Sequence, residues 1–143
     1  MQPEKRENEP IICIEPSAEF YFKRGWKAFQ KSRLHDAEKY FERAASLAQD
    51  EMDRVFGLCQ VALIKQHQGN YQASADLLES LIKGGLGYFP EVYYFQANNF
   101  AFLEDFLRAL KYTQVYLYLE PSGDYQQEAE QFQAELEIEL DNF

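Results

Sequence analysis

Two series of small residues run through this chain in step. Gly25, Ala62 and Ala97 are separated by 37 and 35 residues, and Ala37, Ser74 and Ala109 repeat the same two intervals. Two series that drift together mean that whole units recur, with a few residues gained in the connections. A period of this size restricts the chain to a stacked array, because one such unit cannot bury its own apolar face. In the first unit, GWKAFQKSRLHDAEKYFERA (residues 25–44), Ala37, Phe41 and Ala44 follow at helical spacing. The segment SRLHD interrupts two periodic runs, so the unit reads as helix, tight turn, helix.

The same reading along the chain predicts helices over about 18–31, 34–47, 51–68, 71–82, 91–103 and 106–119, and a last one in the tail from residue 124. Ser17 and Asp50 stand where side-chain caps of the first and third helices belong. Gly69-Asn70 offers residues that tolerate left-handed backbone at a helix end. Gly84, Gly85, Gly87 and Pro90 discourage helix most strongly and are expected to form a flexible joint. The tail places Tyr125, Ala129, Phe132, Leu136 and Leu140 on one face and glutamates on the other, as a helix closing the array would. Residues 1–17 carry Pro3, Pro10 and Pro16 and read as an extended arm, in which Ile11, Ile12 and Ile14 form an apolar strip that could dock in the array's groove. The organisation expected is therefore an arm (1–17), three hairpins (about 18–51, 55–88 and 90–121) and a capping helix within 122–143.

These anchors resemble the tetratricopeptide repeat (TPR) family, in its bacterial type, whose helical hairpins of about 34 residues carry small and aromatic anchors, an A-x-x-x-F step and a late proline. Tyr21, Gly25, Ala37, Phe41 and Ala44 match in the first unit, with Arg24 where a leucine is usual. Leu58, Ala62, Tyr71 and Leu78 match in the second, with Ser74 for alanine and Lys65 for an aromatic. Tyr93, Ala97, Phe100, Ala109 and Pro121 match in the third, and Thr113 departs.

The resemblance implies an all-α, right-handed α-solenoid whose hairpins line a concave surface with their first helices. It places Phe22, Trp26 and Phe29 on that surface from the first unit, Phe56, Cys59 and Leu63 from the second, and Tyr94, Asn98 and Phe102 from the third. Some members grip a C-terminal carboxylate with Lys, Arg and Asn. Here Phe22, Trp26, Gln60, Glu91 and Phe95 occupy the corresponding places, so an apolar extended or helical segment is the better match.

Composition narrows the function further. Fourteen Lys and Arg against 24 Asp and Glu leave a net charge of −10, which repels phosphate backbones and anionic lipid. Nucleic acid and membrane are not expected as partners. Cys13 and Cys59 lie far apart with no metal-ligand spacing, His35 reads as a turn residue and His67 as a helix-end residue. KGGLG lacks the spacing of a phosphate loop. No cofactor, metal site or catalytic group is expected.

The polar segment MQPEKRENEP has no apolar run of a secretory signal, which makes the cytoplasm the expected compartment. The reading is a non-catalytic scaffold that binds a protein or peptide partner. A type III secretion-like chaperone holding an apolar segment of a client is the alternative, and an enzyme the third choice. An arm reaching a neighbour's groove leaves a homodimer open.

Overall fold

The computed structural model describes residues 16–142. The arm expected over 1–17, with its strip Ile11 to Ile14, lies outside the described residues except for Pro16 and Ser17. Seven helices follow in order: α1 (Ala18–Gln30), α2 (Leu34–Leu47), α3 (Glu51–His67), α4 (Tyr71–Lys83), α5 (Glu91–Phe102), α6 (Phe106–Leu119) and α7 (Gln126–Asp141). The described residues contain no strand. Each helix packs on the next, and α3 also touches α5, so the hairpins α1/α2, α3/α4 and α5/α6 stack as a helical solenoid. His35 lies in the first turn of α2 and not in the connection before it, because Arg33 already occupies the capping position.

The three hairpin turns are built alike. Ser32, Gly69 and Glu104 take left-handed backbone, with φ of 59°, 81° and 61°. The following amide closes each turn on the carbonyl five residues back: Arg33 to Ala28, Asn70 to Lys65 and Asp105 to Phe100, each at 2.8 Å. This arrangement satisfies the orphan carbonyls of a helix end. Its positions recur at 37 and 35 residues, the intervals of the small-residue series. The opposite ends are capped as the sequence predicts, with Ser17 Oγ accepting from the Phe20 amide at 3.2 Å and Asp50 Oδ1 from Asp53 at 2.8 Å.

Glycine sets how closely the first helices approach. A Cβ at Gly25 would stand 2.8 Å from the Phe41 ring, so α1 lies against α2 only because that atom is missing. At Gly57 a Cβ would meet Ala45 Cβ at 2.9 Å and Ala45 Cα at 3.1 Å, which presses α3 onto α2 backbone to side chain. The core is correspondingly continuous. One cluster joins Ala28, Ala37, Phe41, Val61 and Ile64, a second Val55, Ala62, Leu78 and Val92, and a third Ala75, Ala97, Phe100, Ala109, Tyr112 and Leu136. Each cluster draws on consecutive hairpins, so no hairpin holds a complete core of its own.

Between the second and third hairpins a buried polar network joins the apolar contact of Leu78 with Val92. The Ser74 hydroxyl donates to the Ala62 carbonyl at 2.7 Å, and Asn99 Nδ2 donates to Ser74 Oγ at 2.9 Å and to Gln96 Oε1 at 3.1 Å. Gln66 Nε2 donates to Asn99 Oδ1, Gln96 Nε2 to Glu79, and the Tyr112 hydroxyl to the same carboxylate at 2.9 Å. Ser74, Gln96 and Asn99 are fully buried, and no buried side-chain polar atom among the described residues lacks a partner. A network completed in this way avoids the cost of about 1–3 kcal/mol for each unpaired group.

The glycine-rich stretch after α4 is a packed connection. Gly84 and Gly85 end the helix, the Leu86 amide returns to Leu81 at 2.8 Å, and Leu86 and Phe89 lie against the core. At the far end α7 buries Ala129 and Leu136 on the third hairpin and turns its glutamates outward. The Tyr125 amide donates to the buried Tyr116 hydroxyl at 3.1 Å, fixing the start of this closing helix.

Candidate functional site

The first helices of the first two hairpins carry a run of aromatic side chains, spaced so that one stripe of α1 meets one stripe of α3. Phe22 stands edge-on to Phe56 with ring centroids 5.6 Å apart, and Phe56 in turn meets Phe89 at 5.7 Å. One helical turn along, Trp26 leans on Phe29 at 5.7 Å, and Phe29 meets His67 edge-on at 5.1 Å. Trp26, Phe29, Gln60, Leu63 and His67 surround a recess of about 100 Å³ floored by Phe41 and Ile64. Trp26 remains 54% exposed and Phe56 42%, an unusual cost for large aromatics unless something covers them.

Of the nine groove residues expected from the sequence, five thus come together: Phe22, Trp26, Phe29, Phe56 and Leu63. Cys59 does not join them. It is 6% exposed within the core of α3, α4 and α5, and burial beside the Glu91 carboxylate pushes its thiol up to about 12, so it offers neither groove surface nor a thiolate.

The third-hairpin residues are engaged elsewhere. Tyr94 stacks on Tyr125 at 5.1 Å and meets Tyr116 at 5.5 Å, so the lead into the closing helix covers it, and burial pushes its hydroxyl up. Asn98 donates its amide to the Tyr94 carbonyl of its own helix at 2.9 Å. Phe102 stacks flat on Tyr71 with centroids 4.1 Å apart and yet stays 58% exposed, forming a separate platform at the end of α5.

Two contributors were not expected. His67 is an extension of the α3 stripe, four residues beyond Leu63, and helical spacing alone could have found it. Phe89 lies in the connection before Pro90, where no helical register applies. No group of three or more His, Cys, Asp or Glu among the described residues could hold a metal ion. No helix among them is long and apolar enough to cross a membrane.

No protein-family model matches the chain. It is similar to the TPR repeat-containing protein YvcD of Bacillus subtilis (strain 168), with 32% identity over 125 residues, or 87% of this chain and 25% of that protein. The chain therefore spans about a quarter of the length of the curated relative it matches. Among solved structures it resembles PcrH from Pseudomonas aeruginosa, with a TM-score of 0.69 over 83% of this chain and 90% of that one, at 17% identity. The second likeness speaks for the fold, the first for the repeat itself. Together with hairpins that recur in sequence, turn geometry and core, they identify tetratricopeptide-type helical repeats in this chain.

Proposed function

We propose that this chain is a non-catalytic interaction module that binds an apolar extended or helical segment of a partner protein across α1 and α3. The observation that carries the reading is the half-exposed pair Trp26 and Phe56, Trp26 leaning on Phe29 at the recess beside Leu63 and Phe56 standing against Phe22. Rigid aromatics of this kind lose little side-chain entropy on contact, and each, once covered, is worth about 1.5–3 kcal/mol before ordering costs. The buried Cys59 thiol and the outward His35 supply no paired nucleophile and base, which supports a binding role over a catalytic one.

Crosslinking in cell lysate followed by mass spectrometry would find the partner, and the single Trp26 gives a direct fluorescence signal for its titration. A partner segment should shift the Trp26 emission to the blue. Phe56→Ala should weaken its binding at least about tenfold. Binding that ignores Phe56→Ala and leaves the emission unchanged would remove the surface from consideration.

A secretion chaperone would use the same apolar chemistry on the same aromatic surface. A stable one-to-one complex with one secreted client, and loss of that client's solubility without this chain, would select that reading. Turnover of a small molecule abolished by replacing His67 or His35 would select an enzyme.

A further inference from the structure

On the side of α1 turned away from Trp26 and Phe29, the residues Phe20, Arg24, Lys27 and Lys31 recur at helical spacing and form a second stripe. With Lys23 of α1, Arg33, and Asp36 and Tyr40 of α2, they line a cleft of about 320 Å³ on the outer face of the first hairpin. The Arg24 guanidinium lies 5.3 Å from the ring centroids of both Phe20 and Tyr40, which holds its charge over the cleft. Its floor is Ala28, and Phe20 is 44% exposed at the rim.

The distribution of charge makes this cleft exceptional. Five of the chain's fourteen Lys and Arg line it, in a molecule whose net charge is −10. Among the described residues only Lys23 of the five is ion-paired, to Glu19 at 3.2 Å, and that pair is open to solvent. A further apolar hairpin stacked on this face would have to desolvate Arg24 and both lysines of the stripe without compensation. A segment bearing carboxylates would neutralise them instead.

We infer that the α1/α2 cleft is a second binding site, separate from the aromatic groove, that takes an acidic segment of a partner protein with apolar residues between its carboxylates. The carboxylates meet Arg24, Lys27, Lys31 and Arg33, and the apolar residues lie on Phe20, Ala28 and Tyr40. Attraction of this kind acts mainly on encounter and partner choice, and it fades with salt.

The test uses the whole chain and a short fluorescein-labelled peptide of alternating glutamate and leucine, followed by anisotropy. Its glutamate-to-lysine counterpart and a short oligothymidine serve as the other probes. The acidic peptide should bind at low ionic strength, weaken as salt is raised, and lose at least about tenfold in affinity in Lys27→Glu/Lys31→Glu. The milder Lys27→Gln/Lys31→Gln should fall between this variant and the native chain. Phe56→Ala, which addresses the groove, should leave the acidic peptide bound, so failure of either site is seen separately. No binding of the acidic peptide at low salt, or binding that survives the charge reversal, overturns the inference. Binding of oligothymidine in its place would make the cleft a nucleic-acid site and overturn it too. So would sedimentation that shows self-association abolished by the same reversal, since the occupant would then be a second copy of this chain.

Discussion

The two junctions between hairpins both bury apolar side chains, but only the second adds a hydrogen-bond network to them. Where the first hairpin meets the second, Gly57 lies on Ala45 and Val61 and Ile64 on Phe41, with one ion pair, Lys65 to Glu38 at 3.1 Å, beside them. Where the second meets the third, Gln66, Ser74, Asn99, Gln96, Glu79 and Tyr112 form a connected set of hydrogen bonds. At Gly57 the first junction leaves little room for an added atom. The second has no tolerance for a missing one. A close carbon contact is specified by shape alone, whereas a satisfied network also fixes which groups face each other, since any slip leaves buried donors unpaired.

The largest effect expected is at the centre of the polar junction. Asn99→Ala leaves Gln96 Oε1 without its donor, removes the acceptor of Gln66 Nε2 and opens a cavity in a fully buried site. Together these should cost about 4 kcal/mol in chemical denaturation. A loss below about 1 kcal/mol would mean that water replaces the network freely and that the contrast with the first junction is one of appearance.

The carbon junction should fail in the opposite sense. Gly57→Val adds two methyl groups and a Cβ against Ala45 backbone, and a helix-propensity gain of about half a kcal/mol offsets little of that. A net loss of about 3 kcal/mol is expected, with Gly57→Ala milder because only one atom must be accommodated. Equal stability of Gly57→Val and the native chain would show that α2 and α3 can part, and that the close approach is incidental.

How much of this was legible in the sequence differs between the two junctions for a physical reason. Helices and turns were readable because caps, glycines and the 3.6-residue stripe are local properties, and Ser17, Asp50 and Gly69 each act where they stand. Gly25 was found through the repeat, but Gly57, inside an otherwise apolar helix, carries no turn signal. Asn99 and Gln96 were invisible as a network because their partners come from other helices, and spacing within a helix says nothing of what faces it.

The aromatic surface of α1 and α3 follows the same rule. Phe22, Trp26, Phe29, Phe56 and Leu63 share stripes on α1 and α3 and are brought together. Tyr94 is not, because Tyr125 from the lead into α7 covers it. Cys59 sits on the inner edge of the α3 stripe and is taken by the core.

The polar junction also makes a smaller, pH-dependent contribution. Burial and the hydrogen bond to Glu79 push the Tyr112 hydroxyl up from 10.0 to about 12. A hydroxyl that holds its proton more tightly in the folded chain stabilises the fold fully below pH 10.0 and loses that contribution as pH rises from there to about 12. Tyr112→Phe should therefore cost about 2 kcal/mol near neutrality, the value of one hydrogen bond to a carboxylate, and should show a shallower loss of stability on the alkaline side. An alkaline limb identical to that of the native chain would separate Tyr112 from the junction's stability.

The smallest effect concerns what the junctions have in common. All three hairpins close through a left-handed residue, yet only the second uses glycine, whereas Ser32 and Glu104 adopt φ of 59° and 61° with a Cβ in place. That conformation costs a non-glycine residue about 1–2 kcal/mol, and glycine relieves it while giving back part of the gain through its freer unfolded chain. Ser32→Gly and Glu104→Gly should each stabilise the chain by about 0.5 kcal/mol, and Gly69→Ala should destabilise it by about 1 kcal/mol. Because a Cβ at Gly69 meets nothing within 4 Å, its replacement tests backbone strain alone, free of the packing that governs Gly57. If Gly69→Ala is neutral while Gly57→Val is not, the hairpins are held by their junctions and not by their turns. If all three turn variants shift stability in the stated directions, the turn is an independent determinant of the repeat, and the two junctions differ in chemistry on a common local frame.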